Sequence, residues 1–220
     1  MTTAAPASLH SQSYTPGSAA PIRVTRWPTE MPLFAVSLAV ALVLWLVIVV
    51  SVVGLVYAVM LGAFFFVMRL GFIAHLRGSA VRLGPDQLPE LHERVTQLAH
   101  RMGLESVPET YLMQAGGSLN AFATRFFRAQ IVVLFSDLLD ACGSDEAARD
   151  MIIAHELGHI HAGHLRWHWL LLPASLVPFL GTALSRAREY TCDRYGVAGA
   201  GNTAGAVRGL TILAAGPKQA

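Results

Sequence analysis

The chain has 220 residues, of which 54% are hydrophobic and only 14% are charged, and its formal net charge is +2. A mean hydropathy of +0.48 is too high for an ordinary soluble domain and indicates a membrane protein with one modest folded domain. The arginines are scattered and form no basic stripe with interleaved aromatics, so nucleic acid is excluded as an expected partner. Two separated cysteines, Cys142 and Cys192, indicate reduced thiols rather than a disulfide framework.

Residues 1–32 are predicted to form a disordered N-terminal tail. The segment is rich in Ala, Ser, Thr and Pro and shows no apolar periodicity. It is not expected to be a signal peptide, because the apolar stretch begins only after residue 32 and is too long for one.

An uncharged stretch of 36 residues runs from Leu33 to Met68. As one helix it would be about 54 Å long, whereas the hydrocarbon core of a bilayer is about 30 Å thick. We therefore predict a transmembrane region over residues 33–73, with two spans joined by a turn near 51–54. A single tilted span followed by a helix on the membrane surface is the alternative. Arginines flank both ends of the stretch, which favours a hairpin with both ends in the cytoplasm.

Residues 74–220 are predicted to be a mainly helical α+β domain with a small β-sheet. The apolar spacing over residues 87–102 is typical of an amphipathic helix that ends at Gly103. Short strands are predicted at 110–114 and 130–135, with a turn and a candidate third strand between them. An exposed edge of such a sheet can bind an extended peptide through main-chain hydrogen bonds, and the sequence leaves open which edge is free.

The next predicted helix is capped by Ser144, ends near Gly163 and contains the sequence H-E-L-G-H at residues 155–159. In this H-E-x-x-H motif the two histidines lie about 40° apart on one helix face, so both can bind one metal ion. The glutamate between them is close enough to handle a proton but poorly placed to be a third ligand. The pattern is typical of a catalytic zinc site, in which three protein ligands leave one position to water.

The third ligand must come from elsewhere. A metzincin would have glycine and histidine where this chain has Ala162 and Leu165, so that class is excluded. Glu189 is the better candidate, because Asp193 follows it at i+4 on the same face of another helix, where a second carboxylate could orient a ligand histidine. A solvated acidic helix face is the alternative for this pair, and Cys192 is a less favoured ligand.

Two further segments are interpreted from their pattern. The histidines at 161, 164 and 168 are predicted on the motif helix but turned away from its metal-binding face, which favours a surface role. The apolar stretch 170–184 contains two prolines and is marginal for a membrane span. It is interpreted either as a segment that dips into the membrane or lines a groove, or as a buried loop.

Three blocks together resemble the membrane zinc metallopeptidases of the HtpX and CAAX-prenyl-protease type, which are gluzincins. The blocks are H-E-L-G-H, Arg186-x-x-Glu189-Tyr190-x-x-Asp193, and Asn120–Thr124, and the resemblance covers roughly residues 85–200. It implies a zincin-type fold and one catalytic Zn²⁺. The implied zinc ligands are His155, His159 and Glu189, and the implied catalytic base is Glu156.

The same resemblance implies a second group of residues around the ion. Asp193 would orient a ligand histidine, and the strand region that includes Asn120, Ala121 and Phe122 would hold an extended substrate. Arg186 is a candidate, on position alone, for a cation that assists the oxyanion, although a structural ion pair is the preferred role for it.

The expected function is that of a membrane-anchored zinc endopeptidase of the cell membrane, multi-pass, with a cytoplasmic catalytic domain. Its expected partners are the lipid bilayer and a peptide or protein substrate, preferably an unfolded or membrane protein in quality control. Processing near a lipidated terminus is the rival substrate class. Two rival functions also stay open: a zinc-binding membrane scaffold or peptide-binding protein without activity, and a structural membrane protein with a chance motif.

Overall fold

The computed structural model describes residues 20–114, 116, 120–126 and 129–215. Within these ranges the chain forms eight helices and four strands, so the prediction of a mainly helical α+β fold with a small sheet is confirmed. In chain order they are α1 Glu30–Val50, α2 Val52–Ser79, β1 Val81–Arg82, α3 Pro89–Arg101, β2 Glu109–Met113, β3 Ala121–Phe126, β4 Ala129–Phe135, α4 Ser136–Cys142, α5 Glu146–His161, α6 His168–Ser175, α7 Leu180–Ala200 and α8 Thr203–Ala215.

The apolar region forms two helices, α1 and α2, which meet at Ser51. The backbone of Ser51 is extended, and its hydroxyl caps α2 by accepting the N–H of Gly54 at 3.1 Å. By length and composition, each helix is long and apolar enough to cross a membrane. The first residue of α1 is buried against the folded domain, and Leu76 near the end of α2 lies in the domain core. The two helices therefore form a hairpin whose open end lies at the domain.

Residues 20–32 differ from the predicted disordered tail. Ile22 is buried in the main core, and its N–H donates to the carbonyl of Arg101 at 2.7 Å. The ring of Trp27 packs at 4.8 Å from an aromatic ring of α7. The packing of Ile22 and Trp27, together with the backbone hydrogen bond, thus orders residues 20–32, although their average composition indicates disorder. Residues 1–19 lie outside the described residues.

The four strands form one mixed sheet in the order β1-β2-β4-β3. β4 pairs parallel with β2 and antiparallel with β3, and its buried run 131–135 explains its continuous apolar sequence. β1 pairs with the outer side of β2, so the described sheet ends at β3 on one side and at the two-residue β1 on the other. The N–H of Phe135 donates to the carbonyl of Asn120 at 3.2 Å. In an antiparallel ladder this means that residues 121, 123 and 125 turn their main-chain groups away from β4.

The core of the domain is the pair of helices α5 and α7. Asp145, not Ser144 as predicted, caps α5, because its carboxylate accepts the N–H of Ala148 at 3.0 Å while Ser144 lies one residue outside. The helices approach closely at Gly199, where an added Cβ would lie 2.2 Å from the Cβ of Ala154. Small residues therefore set the spacing of the two helices.

The segment 170–184 is helical and packs against α1. Leu171 and Ala174 of α6 share a small core with Ala41 and Leu184. The indole N–H of Trp45 donates to the carbonyl of residue 170 at 3.0 Å. Residues 170–175 thus belong to a short helix docked on α1, residues 176–179 form a turn, and residues 180–184 begin α7. The segment is therefore neither a simple membrane-dipping stretch nor a buried loop.

Candidate metal centre

Helices α5 and α7 bring together three side chains of types that can bind a metal. Nε2 of His155 lies 3.2 Å from Oε2 of Glu189, and Nε2 of His159 lies 3.7 Å from the same oxygen. Ligands bound tetrahedrally to zinc at about 2.0–2.1 Å stand about 3.3 Å from one another. Two imidazole nitrogens and one carboxylate oxygen at these separations fit a single zinc ion.

Asp193 contacts the far side of the first histidine. Its Oδ1 lies 3.1 Å from Nδ1 of His155, which leaves Nε2 of that ring facing Glu189. Burial alone would lower the pKa of His155, but hydrogen bonds to Asp193 and Glu189 outweigh it and raise the pKa to about 10. With Asp193 at Nδ1, Nε2 is the nitrogen of His155 that can bind a metal once it has lost its proton.

Glu189 is the most exposed member of the group. Its side chain is 49% exposed, whereas those of His155 and His159 are 11% and 18% exposed. Hydrogen bonds to the two histidines hold the pKa of Glu189 well below its usual range, although partial burial acts in the opposite direction. The site is therefore open to solvent on the α7 side, where a water and a substrate can enter.

Glu156 lies on the buried side of α5, beside the sheet. Desolvation raises the pKa of its carboxyl, while nearby His155 and His159 and a hydrogen bond from the backbone of Ala123 on β3 oppose the rise. The side chain therefore sits between the metal-binding pair and the free edge of β3. A carboxyl in this position can exchange a proton with a group held between them.

Cys192 lies near the same centre. Its Sγ and a ligand nitrogen from each of His155 and His159 lie within 4.8 Å of one another. Burial and the surrounding carboxylates raise the pKa of Cys192 well above its usual range, so the group is a neutral thiol. The thiol of Cys192 and the carboxylate of Glu189 are thus the two candidates for a third donor beside the histidines.

The residues implied for substrate binding differ in their surroundings. Ala121 lies at the start of the free edge, and its N–H donates to the side-chain oxygen of Asn120 at 2.9 Å. The ring of Phe122 packs 6.0 Å from the rings of Phe72 and Phe135, so its side chain belongs to the core. Arg186 is exposed on α7, one turn before Glu189.

Sequence reasoning missed a buried chain of polar groups behind His159. Nδ1 of His159 lies 3.1 Å from Nδ1 of His164, and Nε2 of His164 lies 3.1 Å from Oε1 of Glu30. Burial and the neighbouring His159 lower the pKa of His164 to about 4. The expectation of a surface role for His164 is wrong, because α5 ends at His161 and the chain turns at Gly163, where φ is +73°.

Part of the chain is similar to known metallopeptidases. Residues 85–173 match the sequence model described as Peptidase family M48. Plastoglobule-localized metallopeptidase 48, a chloroplastic protein of Arabidopsis thaliana, is 28% identical over 133 residues. The match covers 53% of this chain and 38% of that protein, so the chain spans well under half of its relative's length. No solved structure matches. The resemblance indicated by the motifs is confirmed over residues 85–173, which match the domain of peptidase family M48.

Proposed function

We propose that the chain is a membrane-anchored, zinc-dependent endopeptidase. The observation that carries this proposal is the convergence of two imidazoles and a carboxylate at 3.2 and 3.7 Å beside a buried glutamate. In the proposed roles, His155, His159 and Glu189 bind Zn²⁺, Asp193 orients His155, and Glu156 is the catalytic base. A bound ion would supply polarisation of a water and of the scissile carbonyl.

Glu156 performs the proton transfers in this mechanism. Its carboxylate accepts a proton from the attacking water and then donates it to the leaving amine, so one group serves both steps. The direction of the pKa shift of Glu156 suits the first step, because a carboxylate with a raised pKa is a stronger base toward the attacking water. Asp193 meanwhile keeps the His155 ring in one orientation through the reaction.

The free edge of β3 is the proposed substrate site. Residues 121, 123 and 125 turn main-chain groups away from β4, and the backbone of Ala123 contacts Glu156. A peptide that adds to this edge as a further strand would pass directly beside the proposed base. A groove of about 700 Å³ follows the edge and is also lined by α2 and residues 165–169. Such main-chain recognition suits unfolded segments of many sequences.

The helical hairpin supports a membrane location. Most of the large apolar side chains of α1 and α2 are exposed, although the domain core of this chain is well buried. Exposed apolar surface of this extent is stabilised by lipid. We propose the cell membrane as the location, with the catalytic domain on the cytoplasmic side, and misassembled or unfolded membrane proteins as substrates in quality control.

The test is the variant Glu156→Gln in the full chain, purified in detergent and compared with unchanged protein. The variant should bind about one equivalent of zinc and lose cleavage of an unfolded membrane-protein substrate by a factor of at least about 10². Gln130 on β4, away from this group, offers a control through Gln130→Glu, which should retain cleavage. Undiminished proteolysis by Glu156→Gln would remove Glu156 from its role.

Two further results would reject the proposal as a whole. Unchanged protein that binds zinc but cleaves no substrate, with or without chelator, would be a zinc-binding scaffold instead. Unchanged protein that holds no zinc would leave the H-E-x-x-H motif without a catalytic meaning.

A further inference from the structure

The buried chain of polar groups behind His159 connects the metal centre to the first residue of α1. It runs from His159 on α5 through His164, in the turn that follows, to Glu30. The side chains of His164 and Glu30 are only 4% and 3% exposed. Burying a carboxylate is costly unless its oxygens are fully hydrogen-bonded, so this position for a glutamate is specific.

The carboxylate of Glu30 has three partners. Arg26 donates to Oε1, Thr191 donates to Oε2 through its hydroxyl, and His164 donates to Oε1. Arg26 also donates to the carbonyl of Ala162, the residue that directly follows α5. Glu30 is therefore held as an anion between α1, α7 and the end of α5.

The partners determine the direction of every hydrogen bond in the chain. A carboxylate accepts only, so the proton on His164 is at Nε2, and its Nδ1 is an acceptor that lies 3.1 Å from Nδ1 of His159 and 3.6 Å from the thiol of Cys192. Nδ1 of His159 donates its proton to this acceptor. Nε2 of His159, on the side where Glu189 lies at 3.7 Å, is then the nitrogen that remains to bind a metal. The chain of groups thus prepares His159 in the form that binds a metal.

We propose that Glu30 and His164 are positioning residues for His159, through which the start of the membrane hairpin sets the zinc affinity of the site. The inference rests on the proposed role of His159 as a zinc ligand. His155 has Asp193 as its orienting carboxylate, and Glu30 serves His159 in the same manner through the intervening imidazole. Both ligand histidines are then aligned by a negative charge, one from α7 and one from α1.

The test compares three variants of the full chain in detergent: Glu30→Gln, His164→Ala and His164→Asn. Zinc affinity is measured by competition with a chelator, and the site is also loaded with Co²⁺ so that its visible absorption reports ligand geometry. Glu30→Gln and His164→Ala should each weaken zinc binding by about 10–100-fold, the usual effect of losing such a partner. His164→Asn keeps an acceptor near the Nδ1 position, so its loss should be intermediate.

Asp150→Asn is the matched control, because Asp150 and Glu30 are both 2% exposed and both pair with an arginine. Asp150 lies near the start of α5 and pairs with Arg94 of α3. It contacts neither ligand histidine. This control should lower thermal stability and leave zinc affinity and the Co²⁺ spectrum within about twofold of the unchanged protein, well short of the loss typical of an orienting partner. An equal loss of affinity in the control would show general loosening and overturn the inference.

The double variant Glu30→Gln/His164→Ala adds a second criterion. Because both residues act through one chain of hydrogen bonds, the double variant should lose little more affinity than the worse single variant. Full zinc affinity and an unchanged Co²⁺ spectrum in the single variants would overturn the inference while leaving the proposed function intact. Failure of the unchanged protein to bind zinc would instead reject the proposed function itself.

Discussion

Helices α5 and α7 pack so closely at Gly199 that one added methyl group should disturb the candidate metal site. In Gly199→Ala the new Cβ would lie 2.2 Å from the Cβ of Ala154, the neighbour of His155. Carbon atoms in contact stand about 3.5–4.0 Å apart, so the helices must separate locally by about 1.3–1.8 Å. A third of that shift at Glu189 already equals the tolerance of about 0.5 Å for a functional group.

The energetic cost can be estimated from the same contact. Overpacking typically costs about 1–3 kcal/mol, and the better helix propensity of alanine offsets about 1 kcal/mol of it. The overlap is severe, so we expect a net loss of about 1–2 kcal/mol and a fall in Tm of about 2–8 °C. Zinc affinity should fall by at least about tenfold, because a donor atom near its tolerance limit is displaced.

The assay measures Tm by circular dichroism and zinc affinity by chelator competition. The swap Gly199→Ala/Ala154→Gly moves the methyl group from one helix to the other and should restore most of both values. Gly201→Ala is the control, because it strains a positive φ of 72° but has nothing within 4 Å of the added Cβ. It should lower Tm and preserve zinc affinity. Unchanged zinc affinity in Gly199→Ala, or no rescue by the swap, would refute the reasoning.

Two further predictions concern pH and the membrane. Since the pKa of His155 is raised to about 10 without metal, zinc binding at pH 8 should displace about one proton, and the apparent affinity should rise with pH up to that pKa. Calorimetry in buffers of different ionisation enthalpy measures this release, and a value near zero would contradict the predicted protonation. Val43 on α1 and Val207 on α8 are similarly exposed, at 61% and 57%. Val43→Asp should make membrane insertion less favourable by about 2.5–3.5 kcal/mol, whereas Val207→Asp should leave insertion unchanged. Carbonate extraction of membranes measures insertion, and equal extraction of the two variants would contradict the proposed span.

The elements with strong local signals can be predicted from the sequence. The amphipathic pattern before Gly103 indicates α3, the apolar run 131–135 indicates β4, and the serine and glycine near residue 51 indicate the break between α1 and α2. The two-residue strand β1 cannot be predicted in this way, because so short a pairing has no pattern of its own and depends on β2.

The candidate site likewise combines residues that have a local sequence signal with residues that have none. The i, i+4 spacing of His155 and His159 is a local property of a helix, so the sequence alone indicates that they act together. The prediction for His164 is wrong because it extends the helical phase past residue 161, where the helix ends. Glu30 carries no local signal, since its partners His164 and Thr191 lie more than a hundred residues away and only tertiary packing brings them together. Long-range polar contacts of this kind are decided by the whole fold.

The groups around the metal centre come from three separate parts of the chain: the start of α1, the end of α5 and the middle of α7. A newly synthesised chain holds the H-E-x-x-H pair before the segment with Glu189 has been made. Contacts so distant in sequence form late in folding, after the loops between them have closed. Under the proposed function, a half-finished molecule would lack hydrolytic capacity, and this would protect both the nascent chain and its neighbours from premature digestion.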